Sequence, residues 1–521
     1  MSGTPDKKNE KNLRRAERTR KEQQEKRRLR IISISVVIVF ALLLIGALFV
    51  NSKYVRRTLP AITIGGVSFS AAEFDYYYTK AASEYSQYMS QQLGDYASMY
   101  LPSSETPHKN QIYDNETGET WADFFTGYAT DMISELVKYN NDADQVGFIT
   151  PEDNVKAVDD EIEYYKMYAQ VYGYPSLDSF LQKNFGLNAN EQSMRKAMLY
   201  SARAAAYGEF KRNSFTYSDA EKTDYYSEKR DSLDSFTYRY FLMKPEDVSS
   251  NDYETEEKKE EAVQAAKDEA KALADAIAAE ISSEEDFINA AREYDPAQYE
   301  EPDSTLKVYP GSWLGSIYGD WLKDEARQNG DVTAIDSTSG VYLVFFIERD
   351  NNEYQMPEMR QILIKREAPD ETAYESGKDD PLYLAEWEAA DSLAKEKAET
   401  MVEKFVTGGA TEALLLELME EYTDDTKEGG FYDKISRNQE TNKMVPDIEK
   451  WLFAPERKYG DYELIRTEEY GYHFVFFMGL GVRFCDYLAD RDLRNADYNA
   501  WVELLPAVDS VRRWAFMFTS N

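Results

Sequence analysis

Twenty consecutive residues without a charge, Ile31 to Val50, interrupt a chain whose apolar and polar positions are otherwise finely mixed. At about 1.5 Å of rise per residue, one helix of that length crosses the roughly 30 Å hydrocarbon core of a bilayer. The pattern predicts a transmembrane helix over residues 31–52. A cleaved signal peptide is the competing reading. The run is longer than a usual h-region and no Ala-x-Ala-like site follows it, which favours an uncleaved anchor. No cysteine lies near residue 50, so lipoprotein processing is excluded.

Beyond a short linker, Ile62 to Phe69 reads as a small strand and turn, and Ser70-Ala71-Ala72-Glu73 is a capping box that starts a helix. Thr150-Pro151-Glu152-Asp153 places an N-cap, a first-turn proline and acids in order, and Ser218-Asp219-Ala220-Glu221 is a second capping box. Residues 71 to 235 are therefore expected to be mostly helical. Phe74, Tyr78, Tyr85 and Met89 recur at helical spacing on the first of these helices. Such a stripe either packs a core or lines a groove for apolar peptides, and core packing is the commoner use. Residues 101 to 120, with Pro102, Pro107, Asn110, Asn115 and Gly118, read as a surface loop, and the Asn115-Glu116-Thr117 sequon is read as chance. From 481 to 521, Trp501, Leu504, Leu505, Val508, Val511 and Trp514 predict a terminal helix with one apolar face.

From about residue 236 the chain repeats itself. Phe236 to Lys244 resembles Pro357 to Lys365, both strand-like, and each is followed by an Ala/Glu/Lys-rich helical stretch ending in Glu293-Tyr294 or Glu421-Tyr422. Trp321-Leu322, Arg327, Gly330-Asp331, Gly340 and Val344-Phe345-Phe346 then correspond to Trp451-Leu452, Arg457, Gly460-Asp461, Gly471 and Val475-Phe476-Phe477, with one residue inserted before the later glycine. Agreement at this density predicts two copies of one α+β unit of roughly 115 residues.

Length and charge narrow the function. A chain of 521 residues has room for about three domains. The net charge of −36 with only two histidines, His108 and His473, speaks against a nucleic-acid binder and against multi-histidine metal chemistry. The lone Cys485 excludes an intramolecular disulfide framework and any Cys-x-x-Cys site. The charge is also unevenly placed. Residues 1–30 hold twelve Lys/Arg against five acids, a net of +7, which leaves −43 for the rest. Twelve cations before the apolar run, against Lys53, Arg56 and Arg57 just after it, place the N-terminus in the cytoplasm and the bulk of the chain outside by the positive-inside rule. Anionic headgroups attract such a basic segment; a nucleic-acid tail is the weaker alternative.

The second copy resembles a parvulin-type peptidyl-prolyl isomerase domain. The resemblance rests on the Arg-x-Ile-Leu-Ile strand at 360–364, the helix ending Glu421-Tyr422-Thr423-Asp424-Asp425, then Gly429-Gly430, Met444-Val445-Pro446, Phe453, Gly460-Asp461 and Tyr470-Gly471-Tyr472-His473-Phe474. The helical region before it is similar to the peptide-binding N-terminal part of SurA and PrsA-type foldases. The resemblance implies an α+β multidomain protein: a basic cytoplasmic tail (1–30), a transmembrane helix (31–52), a helical SurA-like peptide-binding domain (60–235), a degenerate parvulin-like domain (236–350), a parvulin-like isomerase domain (356–480), and a C-terminal helical segment (481–521) returning to the chaperone domain, with Cys485 a buried thiol. It implies an apolar slot for the proline ring formed by Met444, Ile448 and Phe453. It also implies polar groups around the peptide carbonyl, with His473, Asp425 and Thr467 at family positions.

Two positions depart from the family. Gln361 stands where a histidine usually follows the strand arginine, and Ile448 where a phenylalanine follows the methionine by four. In the first copy the matching residues are Tyr240, Leu314, Tyr318, Lys323 and Tyr342, so neither family histidine remains and a binding or spacing role is expected there. The implied protein is a membrane-anchored extracytoplasmic foldase of a bacterial plasma membrane, without cofactor or metal, acting on unfolded or proline-containing exported polypeptides. A non-catalytic chaperone or peptide-binding scaffold on the same fold is the alternative, in which His473 is a satisfied structural histidine.

Overall fold

The computed structural model describes residues 7–50, 52–248, 255–437, 441–442 and 444–520. The chain divides into two compact units, Met1–Phe215 with Ala496–Asn521, and Thr216–Asn495. It mixes helices with four small sheets.

In the first unit the helix Lys7–Val50 carries the apolar run, and its stretch from Arg18 is long and apolar enough to cross a membrane. Pro60–Ile64 (β1) and Val67–Ser70 (β2) form an antiparallel hairpin. Its turn is Gly65-Gly66, both at positive φ, and a Cβ at Gly65 would meet Val137 and Val508 side chains at 2.8 Å. Ser70 then caps the helix Ala71–Leu93, its backbone N–H donating to Glu73 Oε2 at 2.7 Å. The core lies between this helix, Trp121–Gln145 and Glu191–Ser214, around Phe74, Tyr77, Tyr78, Phe125, Ile133 and Val137. Phe74 and Tyr78 of the aromatic stripe are thus core residues rather than a groove lining. Aromatic rings of this size bury enough apolar surface to dominate such a core.

Three sequence expectations need correction. The helix predicted from Thr150 begins at Glu152, with Pro151 rather than Thr150 as its N-cap. The loop 101–120 contains a short hairpin, Ile112–Asp114 (β3) and Glu119–Thr120 (β4), closed by an Asp114 side chain that accepts from the Glu116 N–H. The terminal helix spans Phe484–Leu504 and stops there, because Pro506 removes a backbone donor and pushes the residue before it out of the helical region. Val511 instead lies in the strand Ser510–Arg512, paired antiparallel with β1, and Trp514 opens a short 3-10 turn.

The second unit begins at Thr216, so the helix Asp219–Leu233, capped by Ser218, groups with it. Ser235–Met243 (β5), Leu306–Pro310 (β6), Val332–Ser337 (β7) and Gly340–Asp350 (β8) form an antiparallel sheet in the order β6-β5-β8-β7. Gln355–Lys365 (β9), Phe431–Tyr432 (β10), Tyr462–Thr467 (β11) and Gly471–Arg483 (β12) form a second, in the order β10-β9-β12-β11. The register repeats as well. Tyr240 stands opposite Val344, and Gln361 opposite Val475; Tyr342 stands opposite Ile335, and His473 opposite Ile465.

The matched residues of the repeat have matched jobs. Arg239 Nε donates to Glu284 Oε1 at 2.7 Å and its Nη1 to the Pro302 carbonyl at 2.5 Å; Arg360 does the same to Glu412 at 2.8 Å and the Gly429 carbonyl at 2.5 Å. Each glutamate sits in the first turn of a short helix, Glu284–Tyr294 or Glu412–Tyr422. One sheet face packs on helices, with Phe241 and Phe345 against Phe287, and Phe474 and Phe476 beside Phe405 and Leu415. The opposite face carries a second cluster in each copy, and it is there that the copies diverge.

Candidate peptide-binding site

His473 is on the central strand β12, between β9 and β11, with Gly471 two residues before it. Gly471 has φ +124 and its α-carbon approaches β9 so closely that a Cβ would lie 2.5 Å from the Ile364 carbonyl oxygen. This contact fixes the start of β12 and the register that carries His473 across from β9. Alternation along the strands then sends His473, Gln361 and Thr467 to the same face. All three are buried.

They form one hydrogen-bonded chain. His473 Nδ1 is 3.1 Å from Gln361 Oε1, and its Nε2 is 3.1 Å from Thr467 Oγ1. Gln361 Nε2 donates to Asp425 Oδ2 at 2.7 Å, and the Tyr432 hydroxyl donates to the same oxygen at 2.8 Å. Asp425 Oδ1 accepts the Lys427 N–H at 3.0 Å. The loop bearing Asp425 is tied to β9 by the Asp424 N–H donating to the Leu363 carbonyl at 2.7 Å and by the Leu363 N–H donating to Thr423 Oγ1 at 3.2 Å.

The order of donors fixes the protons. A carboxylate only accepts, so the Gln361 amide nitrogen faces Asp425 and its oxygen faces His473. Nδ1 of His473 therefore carries the hydrogen. Burial pushes the His473 pKa down to about 4, against the opposing pull of the Asp425 charge. The neutral ring has one hydrogen, which leaves Nε2 bare to accept from the Thr467 hydroxyl. Burial, aided by the bond to Asp425, pushes the Tyr432 hydroxyl up to about 12, so Tyr432 is a donor at neutral pH. With both nitrogens engaged, His473 is a fixed dipole in a polar wall, not a free base or nucleophile.

A cavity of about 900 Å³ is lined among others by Met444, Val445, Pro446, Phe453 and Tyr470, and it reaches the polar wall through Tyr470. The Tyr470 ring meets the His473 ring edge to face at 6.0 Å. Met444 and Phe453 thus border the cavity, whereas Ile448 lies under it, fully buried with Met359, Trp451 and Val475. The structure brings His473, Gln361, Asp425 and Thr467 into one network and sets Met444 and Phe453 on the adjoining cavity. Arg437 stacks on Phe453 at 4.6 Å and on Tyr354 at 4.9 Å, which covers part of that ring.

Sequence reading passed over Tyr432, Tyr470 and Arg437. Tyr470 was within the quoted motif, next to Gly471, and its neighbourhood to the histidine was the available signal. Tyr432 follows Gly429-Gly430 on β10, a strand of two residues that no periodicity could reveal. Among the described residues no group of three or more His, Cys, Asp or Glu is arranged to hold a metal ion. Cys485 is buried, which raises its thiol pKa.

In the first copy the same face is filled with rings. Tyr240, Tyr318 and Tyr342 occupy the places of Gln361, Ile448 and His473, with ring centroids 5.6 to 5.9 Å apart. Tyr238 adds a hydroxyl contact of 3.4 Å to Tyr318, Leu314 packs alongside, and the Lys323 carbonyl accepts from Arg349. These rings form a close-packed cluster, one pair stacked and two tilted, where the second copy has a directional polar chain.

No family model matches the chain, and no curated protein matches it. Solved structures to which it is similar include the peptidylprolyl isomerase PrsA from Bacillus anthracis, at 11% identity over 42% of this chain and 79% of that one, TM-score 0.22. They also include one chain from the work describing PEB4 and Cj1289 as SurA-like chaperones of Campylobacter jejuni (16% identity, 38% of this chain and 70% of that one, TM-score 0.17). PrsA from Bacillus subtilis is a third (11% identity, 60% and 92%, TM-score 0.14).

Proposed function

We propose that this chain is a membrane-anchored extracytoplasmic foldase. Its N-terminus is cytoplasmic, the Ile31–Val50 run spans the bilayer, and the remainder holds unfolded exported polypeptide and acts on its Xaa-Pro bonds. The helical region 60–235 serves as the holding domain, and residues 356–480 as the parvulin-like isomerase. The observation that supports this reading is the Thr467–His473–Gln361–Asp425 chain, linked through the Tyr470 ring to a cavity bordered by Met444 and Phe453.

The chemistry suits that geometry. The barrier to prolyl rotation comes from amide conjugation, so a catalyst gains by favouring the twisted amide over the planar one. No nucleophile is required. An apolar slot grips the ring, and a wall of fixed dipoles favours the carbonyl in its rotated, less conjugated state. Gln361 keeps the relay that a histidine would supply, because its amide donates at one end and accepts at the other.

A protease-free isomerisation assay on short proline peptides tests the proposal: catalysis above background is expected, and His473→Ala should lower it at least tenfold. Catalysis unchanged by His473→Ala would overturn the role of the network. The occupied state of both His473 nitrogens favours a second reading, a non-catalytic peptide-binding scaffold. That reading expects no rate above background, together with suppression of client aggregation that survives His473→Ala and Gln361→Ala.

A further inference from the structure

The cavity beside Met444 and Phe453 has a wall that the second copy does not supply. Asp303, Leu306 and Val308 also line it, and Leu306 and Val308 are on β6 of the first copy. Successive side chains of a strand face opposite sides. Lys307 sits 5.8 Å from the Tyr240 ring and Tyr309 packs on the tyrosine cluster, so Leu306 and Val308 face the other way. Both are half-buried, and neither belongs to the core clusters of its own sheet. Two apolar side chains outside the core clusters of their own sheet, turned to a cavity, can take an apolar partner.

The cavity itself indicates the partner. Its volume of about 900 Å³ is near the top of the roughly 300–1,000 Å³ range of ligand pockets, which is space for several residues of an extended chain rather than one proline ring. Its lining mixes Arg437 and Lys450 with Asp303, Glu449 and Glu469. Walls of both signs, with one acid in excess, suit a polypeptide of varied sequence and disfavour a polyanion.

We infer that β6 of the first copy is the second wall of the peptide site. Leu306 and Val308 hold apolar residues that flank the proline of a bound, extended polypeptide, while the prolyl ring lies against Met444 and Phe453. The first copy then sets specificity for the second without chemistry of its own. This inference rests on the peptide-binding reading of the second copy.

The test is binding to the full chain by fluorescence anisotropy. Two fluorescein-labelled probes are used, a four-residue peptide with one Ala-Pro bond and a ten-residue peptide with apolar residues on both sides of the same bond. In the double variant Leu306→Glu, Val308→Glu, the long peptide should bind about tenfold more weakly and the short one within twofold of wild type. Equal weakening of both peptides, or unchanged binding of the long one, overturns the inference and leaves the peptide-binding reading standing. A wild-type chain that binds neither peptide overturns both. A second measurement needs no variant: a benzoylphenylalanine three residues from the proline of the long peptide should crosslink within Leu306–Pro310, and crosslinking confined to other segments overturns the inference.

Discussion

The two copies in the second unit share a scaffold and differ at one face. Both keep the sheet order, the register, the arginine–glutamate tie and the glycine that opens the long central strand. At the shared site one carries a buried histidine in a chain of directional hydrogen bonds, and the other a cluster of tyrosine rings. Ring packing tolerates a range of tilts, whereas a buried polar chain is satisfied only if every donor finds its acceptor. The difference teaches that the fold needs the glycines and arginines but not the site, so the polar chain of the second copy is an added property.

The largest expected effect breaks both copies alike. Gly340 at φ +135 and Gly471 at φ +124 occupy the same place, and a Cβ would lie 2.2 Å from the Met243 carbonyl oxygen or 2.5 Å from that of Ile364. Backbone cannot yield as a flexible side chain can. Gly340→Val and Gly471→Val should each cost more than about 3 kcal/mol and unfold the copy that bears the change. Hydrogen exchange resolved by peptide checks this: protection lost over 235–350 in one variant and over 355–483 in the other. A mild effect in either would mean that the copies are not held by the same device.

Acid should separate the copies. His473 has a folded pKa of about 4 against an ordinary 6.5, so between those values the unfolded chain binds the proton and the folded one does not. The contribution is complete above pH 6.5 and is lost as pH falls to about 4, at most about 3 kcal/mol. The first copy has Tyr342 in that place and lacks the dependence. A whole-chain melting curve would blur the result, because buried Asp75 in the other unit is pushed up to about 6 and works in the opposite sense over the same range. Exchange rates of β12 amides against those of β8, from pH 7 to 4.5, isolate it, and His473→Gln should abolish the difference.

Much of this comparison was written in the sequence, because paired residues carry paired constraints. The recurrence of one strand in the other marked Arg239 and Arg360, but not their partners Glu284 and Glu412, which lie 45 and 52 residues further along in a helical stretch rich in glutamate. Gln361 and His473 of the candidate site came from the family resemblance, and their joining in one hydrogen-bonded chain follows from the strand register. Other features had no such anchor. The pairing of Val511 with Thr63 joins residues almost a whole chain apart, and the apolar spacing of Val508, Val511 and Trp514 fits a helix until Pro506 is given its due. The position of Leu306 and Val308 against the second copy's cavity is a tertiary fact that one strand's alternation cannot carry.

The smallest expected effect tests how finely the duplication has drifted. Arg327 and Arg457 each lie over a tryptophan, 4.7 Å from Trp321 and 4.2 Å from Trp451. Arg457 Nε also donates to the Trp451 carbonyl at 2.9 Å, whereas the buried Nε of Arg327 has no hydrogen-bond partner and its head group makes ion pairs with Asp324 and Asp331. Half-exposed ion pairs of that kind contribute about 0–1 kcal/mol, and a lysine keeps most of that attraction and of the ring contact. Arg327→Lys should therefore be close to neutral, removing an unsatisfied donor as it weakens the stacking. Arg457→Lys should cost about 1 kcal/mol, the ordinary worth of one net hydrogen bond. Urea denaturation followed by local exchange in each copy measures the pair. Equal costs in the two would show that the ring contact, rather than the extra hydrogen bond, is what holds this corner of each copy.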